Sequence, residues 1–427
     1  MKGGVVMKIQ KGILCALLVF MLIIFVSFYP LEGQAQGKKE PVVFGLIDPL
    51  SGPFKDAGVE ALWALEYAVD QINAKGGLLG GPVKLLKYDN QFRPDVAVRQ
   101  ARKAVLEDGV KVIFQQSSSA VALALSKLAK ELNVVHVILH AEADEITGSE
   151  FQPNTFRLGF STSMHSAVLA HYFAQTSYKR YYLINMDYAF GHAVSESFKK
   201  VFQRVKKPDQ EIVGDDFHPM ATKDFGPYVT KALAAKPDVV ITGNFAVDLT
   251  GLIKQSRALG LNAMIGTYYL DNPNWMNQIG DAGLGTMVGE MYLSTVKTKN
   301  NQEFVKSWQE WFKKKYPNEP SIYHVPNTSW LPGSAAFFVA EAIKKAGSAD
   351  TDKLIKTMEG MSFESVTGKI TMRPCDHQVQ ADGWVAVAKT DHEYKNILKF
   401  PFLGEATKIP VEKISVPPQE TGNPRCK

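Results

Sequence analysis

Cysteine is scarce in this chain: three in 427 residues, at positions 15, 375 and 426. Cys375 and Cys426 are too far apart to suggest a zinc site, and they leave room for one bridge at most outside the N-terminal region. Charge of one sign is scarce as well. Lys and Arg number 48 against 43 Asp and Glu, a formal net charge of +5. Setting aside an N-terminal leader that carries Lys2, Lys8, Lys11 and Glu32 leaves about +3, too little to argue for nucleic acid or an anionic surface as partner. Long apolar runs occur in one place only, residues 13–29, where Ser27 alone breaks the run. The composition is otherwise that of a globular protein, 45% hydrophobic and 21% charged, which excludes disorder and further membrane spans.

The one apolar run is informative by its setting. It follows a basic start and is followed by Pro30, Gly33, Ala35 and the polar run Gln36-Gly37-Lys38-Lys39. This is the layout of a secretory signal peptide over residues 1–35, with a cut after Ala35. The run also approaches the roughly 18–20 residues that span a bilayer, so an uncleaved anchor stays open. Cys15 does not support a lipid anchor, because bulky Leu14 precedes it. The expected location is the periplasm, or outside the cytoplasm more generally. In that oxidising setting Cys375 and Cys426 read most simply as a disulfide tying the C-terminal end to the body, an unpaired pair being the alternative.

From Val42 onward, short apolar runs alternate with amphipathic stretches. Residues 42–47 read as a buried strand, and residues 59–73 place Leu62, Leu65, Val69 and Ile72 at helical spacing. Strands are expected at 83–88, 110–114 and 134–139 with helices between them, and after Arg157 the same alternation starts again. Such alternation predicts an α/β fold with two doubly wound, mostly parallel sheets in series. The last third offers strands near 287–293, 368–372 and 384–388, expected to complete both sheets, so that the chain crosses between lobes more than once. The expected division is 42–160 plus 291–368 for the N-terminal lobe, 161–290 plus 369–408 for the C-terminal lobe, and 409–427 as a polar tail. Several crossovers make a hinge and leave a cleft where ligands bind in open α/β sheets.

The order of local motifs resembles one family. Gly45-Leu46-Ile47-Asp48-Pro49-Leu50-Ser51-Gly52-Pro53, Gly58 and Ile72-Asn73-Ala74-Lys75-Gly76-Gly77-Leu78-Leu79-Gly80 open the series. Asp89, Ser117-Ser118-Ser119, Phe156-Arg157, Tyr188-Ala189-Phe190-Gly191, Asp224-Phe225 and Pro237-Asp238-Val239-Val240 continue it. Together they are similar to the type I periplasmic binding proteins of ABC importers, in the branched-chain amino acid (Leu/Ile/Val) branch. The resemblance implies two lobes closing on a small molecule as a Venus flytrap does, delivery to a membrane permease, no cofactor and no chemistry. It implies that Ser117, with Ser118 and Ser119, grips the ligand carboxylate where a strand ends and a helix begins, a place that favours anions.

Elsewhere the chain departs from the family pattern. Leu139-His140-Ala141-Glu142-Ala143-Asp144 replaces small residues and a threonine, Phe190 replaces a tyrosine, and Phe245 ends the 239–242 strand. Tyr268 or Tyr269 stands where an acid would meet the ligand's ammonium, with Glu142 able to supply a replacement. Aromatic rings at Phe54, Phe190, Phe245, Tyr268 and Tyr269 suit a flatter or more apolar ligand, so the expected ligand is an aromatic or hydrophobic carboxylate, with branched-chain amino acids as the alternative. His140 and Ala141 fall at the strand end that faces the expected cleft, whereas His136 reads as a core residue.

The string Arg373-Pro374-Cys375-Asp376-His377-Gln378 is the most enzyme-like, but adjacent residues seldom face one another and no metal spacing accompanies them. It reads as structural. The two rivals to an importer component are a membrane-anchored sensor using the same cleft and an exported enzyme using Cys375 and His377.

Overall fold

A computed structural model describes residues 40–426; the expected leader lies outside the described residues. The first half of the fold runs β1 (Val42–Asp48), α1 (Lys55–Ala74), β2 (Val83–Asp89), α2 (Pro94–Leu106), β3 (Val112–Gln115), α3 (Ser119–Glu131), β4 (Val135–Ile138) and β5 (Thr155–Arg157). These strands form a five-stranded sheet in the order β2-β1-β3-β4-β5, parallel throughout. Every residue of β3 and β4 is buried, as expected of parallel strands covered by helices on both faces.

The pattern then repeats: α4 (Thr162–Gln175), β6 (Arg180–Met186), α5 (Ala189–Val205), β7 (Glu211–His218), α6 (Gly226–Ala235), β8 (Val239–Thr242), α7 (Ala246–Ala258), β9 (Met264–Thr267), α8 (Pro273–Ile279) and β10 (Thr286–Glu290). The parallel part of this second sheet has the order β10-β9-β8-β6-β7. Its far edge is finished by strands from the end of the chain.

After β10 the chain returns to the first half. Helix α9 (Lys299–Lys315) lies along α1, with the Tyr67 hydroxyl donating to Ser307 Oγ at 2.8 Å and Trp311 Nε1 donating to Asp70 at 2.9 Å. Trp63 meets Phe312 edge to face with centroids 5.0 Å apart. Helices α10 (Leu331–Ala346) and α11 (Thr351–Met358) follow. Next come β11 (Ser362–Ser365), β12 (Gly368–Met372), β13 (Val379–Gln380), β14 (Gly383–Lys389), β15 (Phe402–Leu403) and β16 (Thr407–Ile409).

Of the late strands, β10 and β14 do extend the second sheet, β14 pairing antiparallel with β10. The first sheet receives none, which corrects the expectation that both would be completed. Instead β11, β12 and β13 make an antiparallel sheet of their own, straddling residue 368. The reason lies in the side chains: along β12 Ile370 and Met372 are buried while Lys369 is exposed, the alternation of a strand with one wet face. A single parallel bridge, Arg157 to Gln378, joins this sheet region to the edge of the first.

The chain therefore passes between the two main sheets three times, after β5, after β10 and after β13. At the first passage Gly159 lies against the carbonyl of Leu139 so closely that a Cβ would overlap it. That contact fixes the first passage against the loop that follows β4.

The polar end of the chain is docked along its length. Ile414 is buried, Arg204 pairs with Glu420 at 3.0 Å, and Asn423 donates to the Thr147 carbonyl at 2.9 Å. Cys375 and Cys426 are joined in a disulfide with Cα atoms 5.1 Å apart, and Arg425 beside it pairs with Glu359 at 2.7 Å. Among the described residues no helix is long and apolar enough to cross a membrane.

The disulfide closes a loop of 51 residues. Replacing both cysteines with alanine is expected to lower stability by about 2–4 kcal/mol, mostly by loosening the unfolded chain. Urea unfolding of the two proteins side by side measures this.

Candidate functional site

The site forms where strand-end loops of the two main sheets meet. From the first sheet come the loops after β3 and β4, which are neighbours because these strands pair in register from Val112–Val135 to Gln115–Ile138. Ser117 follows β3. Its backbone N–H and that of Gln116 donate to the fully buried Asp48 carboxylate, each at 3.0 Å. Burial pushes Asp48 up to about 7 against the pull of those amide bonds. The Ser117 hydroxyl oxygen is buried beside the Asp48 carboxyl, which it helps to hold down, and makes no well-formed hydrogen bond among the described residues. Ser118 caps α3, accepting from Val121 N at 3.3 Å with φ at +73°. Ser119 Oγ accepts from the Ala143 N–H at 3.2 Å and ties the two loops together.

The loop after β4 carries His140, Ala141 and Glu142. Ala141 is buried and contributes backbone: its carbonyl accepts from the Arg157 guanidinium at 3.3 Å. Glu142 reaches across to α4 of the second half, where His165 Nδ1 lies 3.1 Å away. Both groups are buried, and burial alone would neutralise each. The pairing wins: His165 is raised to about 9 by Glu142 and Glu290, and Glu142 is held below the usual carboxylate range by His165. His165 Nε2 also donates to the Gly289 carbonyl on β10.

Two further groups complete the cluster. Glu290, the last residue of β10, is 1% exposed, and its Oε1 lies 3.5 Å from His140 Nε2. Burial raises Glu290 well above the usual range, while burial lowers His140 to about 4. Tyr269, after β9, has its hydroxyl held well above the usual range by burial and by the nearby Glu142 and Glu290. Around Tyr269 stand His140, Phe190 and Phe245, with ring centroids 6.1, 6.0 and 6.2 Å from it.

Ser117, Ser119, His140, Glu142, Phe190 and Phe245 are thus brought to one region. The other two expected rings stand differently. Tyr268 is fully buried, its hydroxyl meets Ser166 Oγ at 2.6 Å and its ring lies 4.4 Å from that of His165, so it packs behind the cluster. Neighbouring residues at a strand end point to opposite sides, and Tyr269 meets His165 from another direction, with centroids 5.6 Å apart. Phe54 stacks on Phe92 at 4.2 Å, and its ring contact is there rather than with Tyr269. His165, Glu290 and Asp48 were not singled out from sequence. Glu290 had a signal, a lone acid in the buried run Thr286-Met287-Val288-Gly289-Glu290-Met291.

The string around Cys375 holds the frame. The His377 ring stacks on Phe156 at 4.0 Å and is 2.9 Å from Glu359, and Arg373 pairs with Asp376 at 2.5 Å.

Comparison with known proteins decides what this arrangement belongs to. The family described as "Periplasmic binding protein" matches residues 41–393. The chain is a type I periplasmic binding protein of the branched-chain amino acid family. Leu/Ile/Val-binding protein homolog 4 of Brucella abortus (strain 2308) is 30% identical over 430 residues, spanning 95% of this chain and 97% of that protein. Two solved structures share the fold at 26% identity. One is an amino acid ABC transporter substrate-binding protein from Pseudomonas fluorescens Pf-5, TM-score 0.77, covering 90% of this chain and 99% of that one. The other is a leucine-, isoleucine-, valine-, threonine- and alanine-binding protein from Brucella ovis in a closed conformation, TM-score 0.78, covering 88% and 97%. Members of this family are solute-binding proteins, not enzymes, and the family is extracytoplasmic. In this periplasmic binding protein the Cys375–His377 string accordingly belongs to the scaffold.

The buried pair gives the binding protein a pH signature. His165, raised in the fold, contributes fully below its unfolded value near 6.5, and that contribution is lost as pH rises through about 9. Glu142, lowered in the fold, contributes above its unfolded value near 4.5 and loses it on acidification. Melting temperatures from pH 5 to 10 should fall on the alkaline side more steeply in the parent protein than in a Glu142→Gln/His165→Asn double variant. Parallel curves would show that the pair does not carry the ionisation.

Proposed function

We propose that this chain is the substrate-binding component of an ABC importer, exported by its leader and capturing a small carboxylate-bearing organic molecule between two lobes. The observation that carries the reading is the Ser117 hydroxyl, buried beside Asp48 at the start of α3 and in no well-formed hydrogen bond among the described residues. The first N–H groups of a helix have no partner within it, and the dipole there favours negative charge. A ligand carboxylate at that point would accept from Ser117 and from the first turn of α3.

The lobes are 42–160 with 291–368, and 161–290 with 369–408. The hinge is the set of three passages between them, and closure sets the second-half groups His165, Tyr269 and Glu290 against the first-half loops. Ligand drives this by binding the closed form more tightly than the open one, and a membrane permease then receives the closed form. Phe190, Phe245 and Tyr269 form the apolar wall. Their spacing suits an amino acid with an apolar side chain or an aromatic acid.

A thermal-shift screen of the chain from Gln36 tests the reading, using amino acids, aromatic acids, short fatty and dicarboxylic acids, and small amides. A true ligand raises the melting temperature by mass action. Silence across every carboxylate, with an amide or other neutral compound stabilising, would overturn the carboxylate assignment.

With a ligand in hand, Ser117→Ala should weaken binding by about 1.5–3 kcal/mol, on the order of ten- to a hundredfold, the worth of a hydrogen bond to a charged group. Its melting temperature without ligand should stay unchanged. Calorimetric titration of both proteins reads the difference; equal affinities would remove Ser117 from the site.

A further inference from the structure

One carboxylate oxygen of the cleft has no hydrogen-bond partner among the described residues. The His140, Glu142 and Glu290 side chains come from both halves of the fold, and their ligand atoms lie within 4.8 Å of one another. Within this group the charges of Glu142 and His165 answer each other across 3.1 Å. Glu290 must share that one cation with Glu142, so two acids face a single charged histidine. Its Oε2 accepts the backbone N–H of Met291 at 2.7 Å, while its Oε1 is buried without any hydrogen-bond partner. The nearest candidate, His140 Nε2 at 3.5 Å, is too long for a hydrogen bond. A carboxylate oxygen so placed is costly unless something donates to it or neutralises it. Nothing else in a buried apolar strand requires an acid at its end.

We propose that Glu290 is the cation-accepting residue of the cleft, where with His140 and Glu142 it holds a compact cation, either the protonated amine of the bound solute or a divalent metal ion. The inference rests on the reading of this cleft as the ligand site. Both sources use the same donors: an ammonium presents three N–H groups to carboxylate and imidazole, and a divalent ion takes carboxylate oxygen and imidazole nitrogen as ligands. The cluster faces the ring wall of Tyr269, whose ring stands 6.1 Å from that of His140, so a cation there lies beside the apolar part of the ligand.

The experiment titrates the purified, chelator-dialysed protein with zinc chloride alone, and separately with two matched pairs, phenylalanine against 3-phenylpropionate and leucine against 4-methylpentanoate. If the cation is an amine, an amino acid binds, its deaminated partner binds at least about tenfold more weakly, and Glu290→Gln abolishes that discrimination. If it is a metal, zinc binds alone and Glu290→Gln and His140→Gln each weaken it at least about tenfold. The unliganded Glu290→Gln protein should melt no lower than the parent, since it loses a buried unpaired acid, and circular dichroism confirms its fold. A deaminated acid that binds as tightly as its amino acid, with zinc silent, overturns the cation subsite and leaves carboxylate capture standing. Unchanged binding in Glu290→Gln, or silence to zinc and to both amino acids, overturns it as well. In the last case the wider screen judges the carboxylate reading independently.

Discussion

A single buried guanidinium holds the site loop in place. Arg157, the last residue of β5, is fully buried, and burial lowers it only to about 10, so it stays charged at neutral pH. Its Nε donates to Gln378 at 2.6 Å, one Nη to the carbonyl of Ala143 at 2.7 Å and the other to Thr147 Oγ1 at 2.7 Å. Those three partners belong to the third passage between the sheets, the loop that carries Glu142, and the turn that follows it. A charge buried this deeply persists only where its donors are used, and here each bond ties down irregular backbone that no sheet ladder supports. The loop after β4 therefore has one position, and Glu142 meets His165 because of it.

From that fixed loop the rest of the cleft follows by contact. Ser119 clips the start of α3 to Ala143, so the serine turn and the Glu142 loop move together. On the other side, His165 is positioned from two directions, by Glu142 and by the Gly289 carbonyl. The ion pair is consequently a junction between the two halves as well as a feature of the site. Its strength depends on both partners being charged and on water being kept from them.

Much of this was legible in the sequence. Parallel strands covered on both faces are written as short apolar runs, and the helices between them show their stripes, so most strands of both main sheets could be read; the two- and three-residue strands β5, β15 and β16 are too short to show a pattern. The ordered motifs from Gly45 to Val240 identified the family. What escaped was pairing that depends on distant partners. The alternation along β12 marks a strand with one wet face and the near-continuous burial of β14 does not, but neither pattern names the strand it pairs with. Tyr268 and Tyr269 are identical as residue types, and only the exact end of β9 decides which ring faces the cleft. His165 lies on a helix with apolar residues all round, where a histidine reads as core until Glu142 is found beside it. Glu290 was visible as an acid in an apolar strand, but its meaning required knowing what surrounds it.

The two ends of the site ask for opposite things. At the serine end, Asp48 already occupies the amides of Gln116 and Ser117, so an incoming anion is left the Ser117 hydroxyl and the first turn of α3. That is a modest anion site, with a carboxylate close behind it. At the other end Glu290 shares the charge of His165 with Glu142, and its Oε1 has no hydrogen-bond partner among the described residues. A simple aromatic acid would satisfy the first and leave the second untouched, and closing the lobes over it would keep the Glu290 carboxylate buried without a donor. A zwitterion with an apolar side chain satisfies both ends and lays that side chain against Phe190, Phe245 and Tyr269. The rings taken alone point to an aromatic carboxylate; the charges turn the balance towards an amino acid, because an uncompensated buried carboxylate costs more than an imperfectly filled apolar wall.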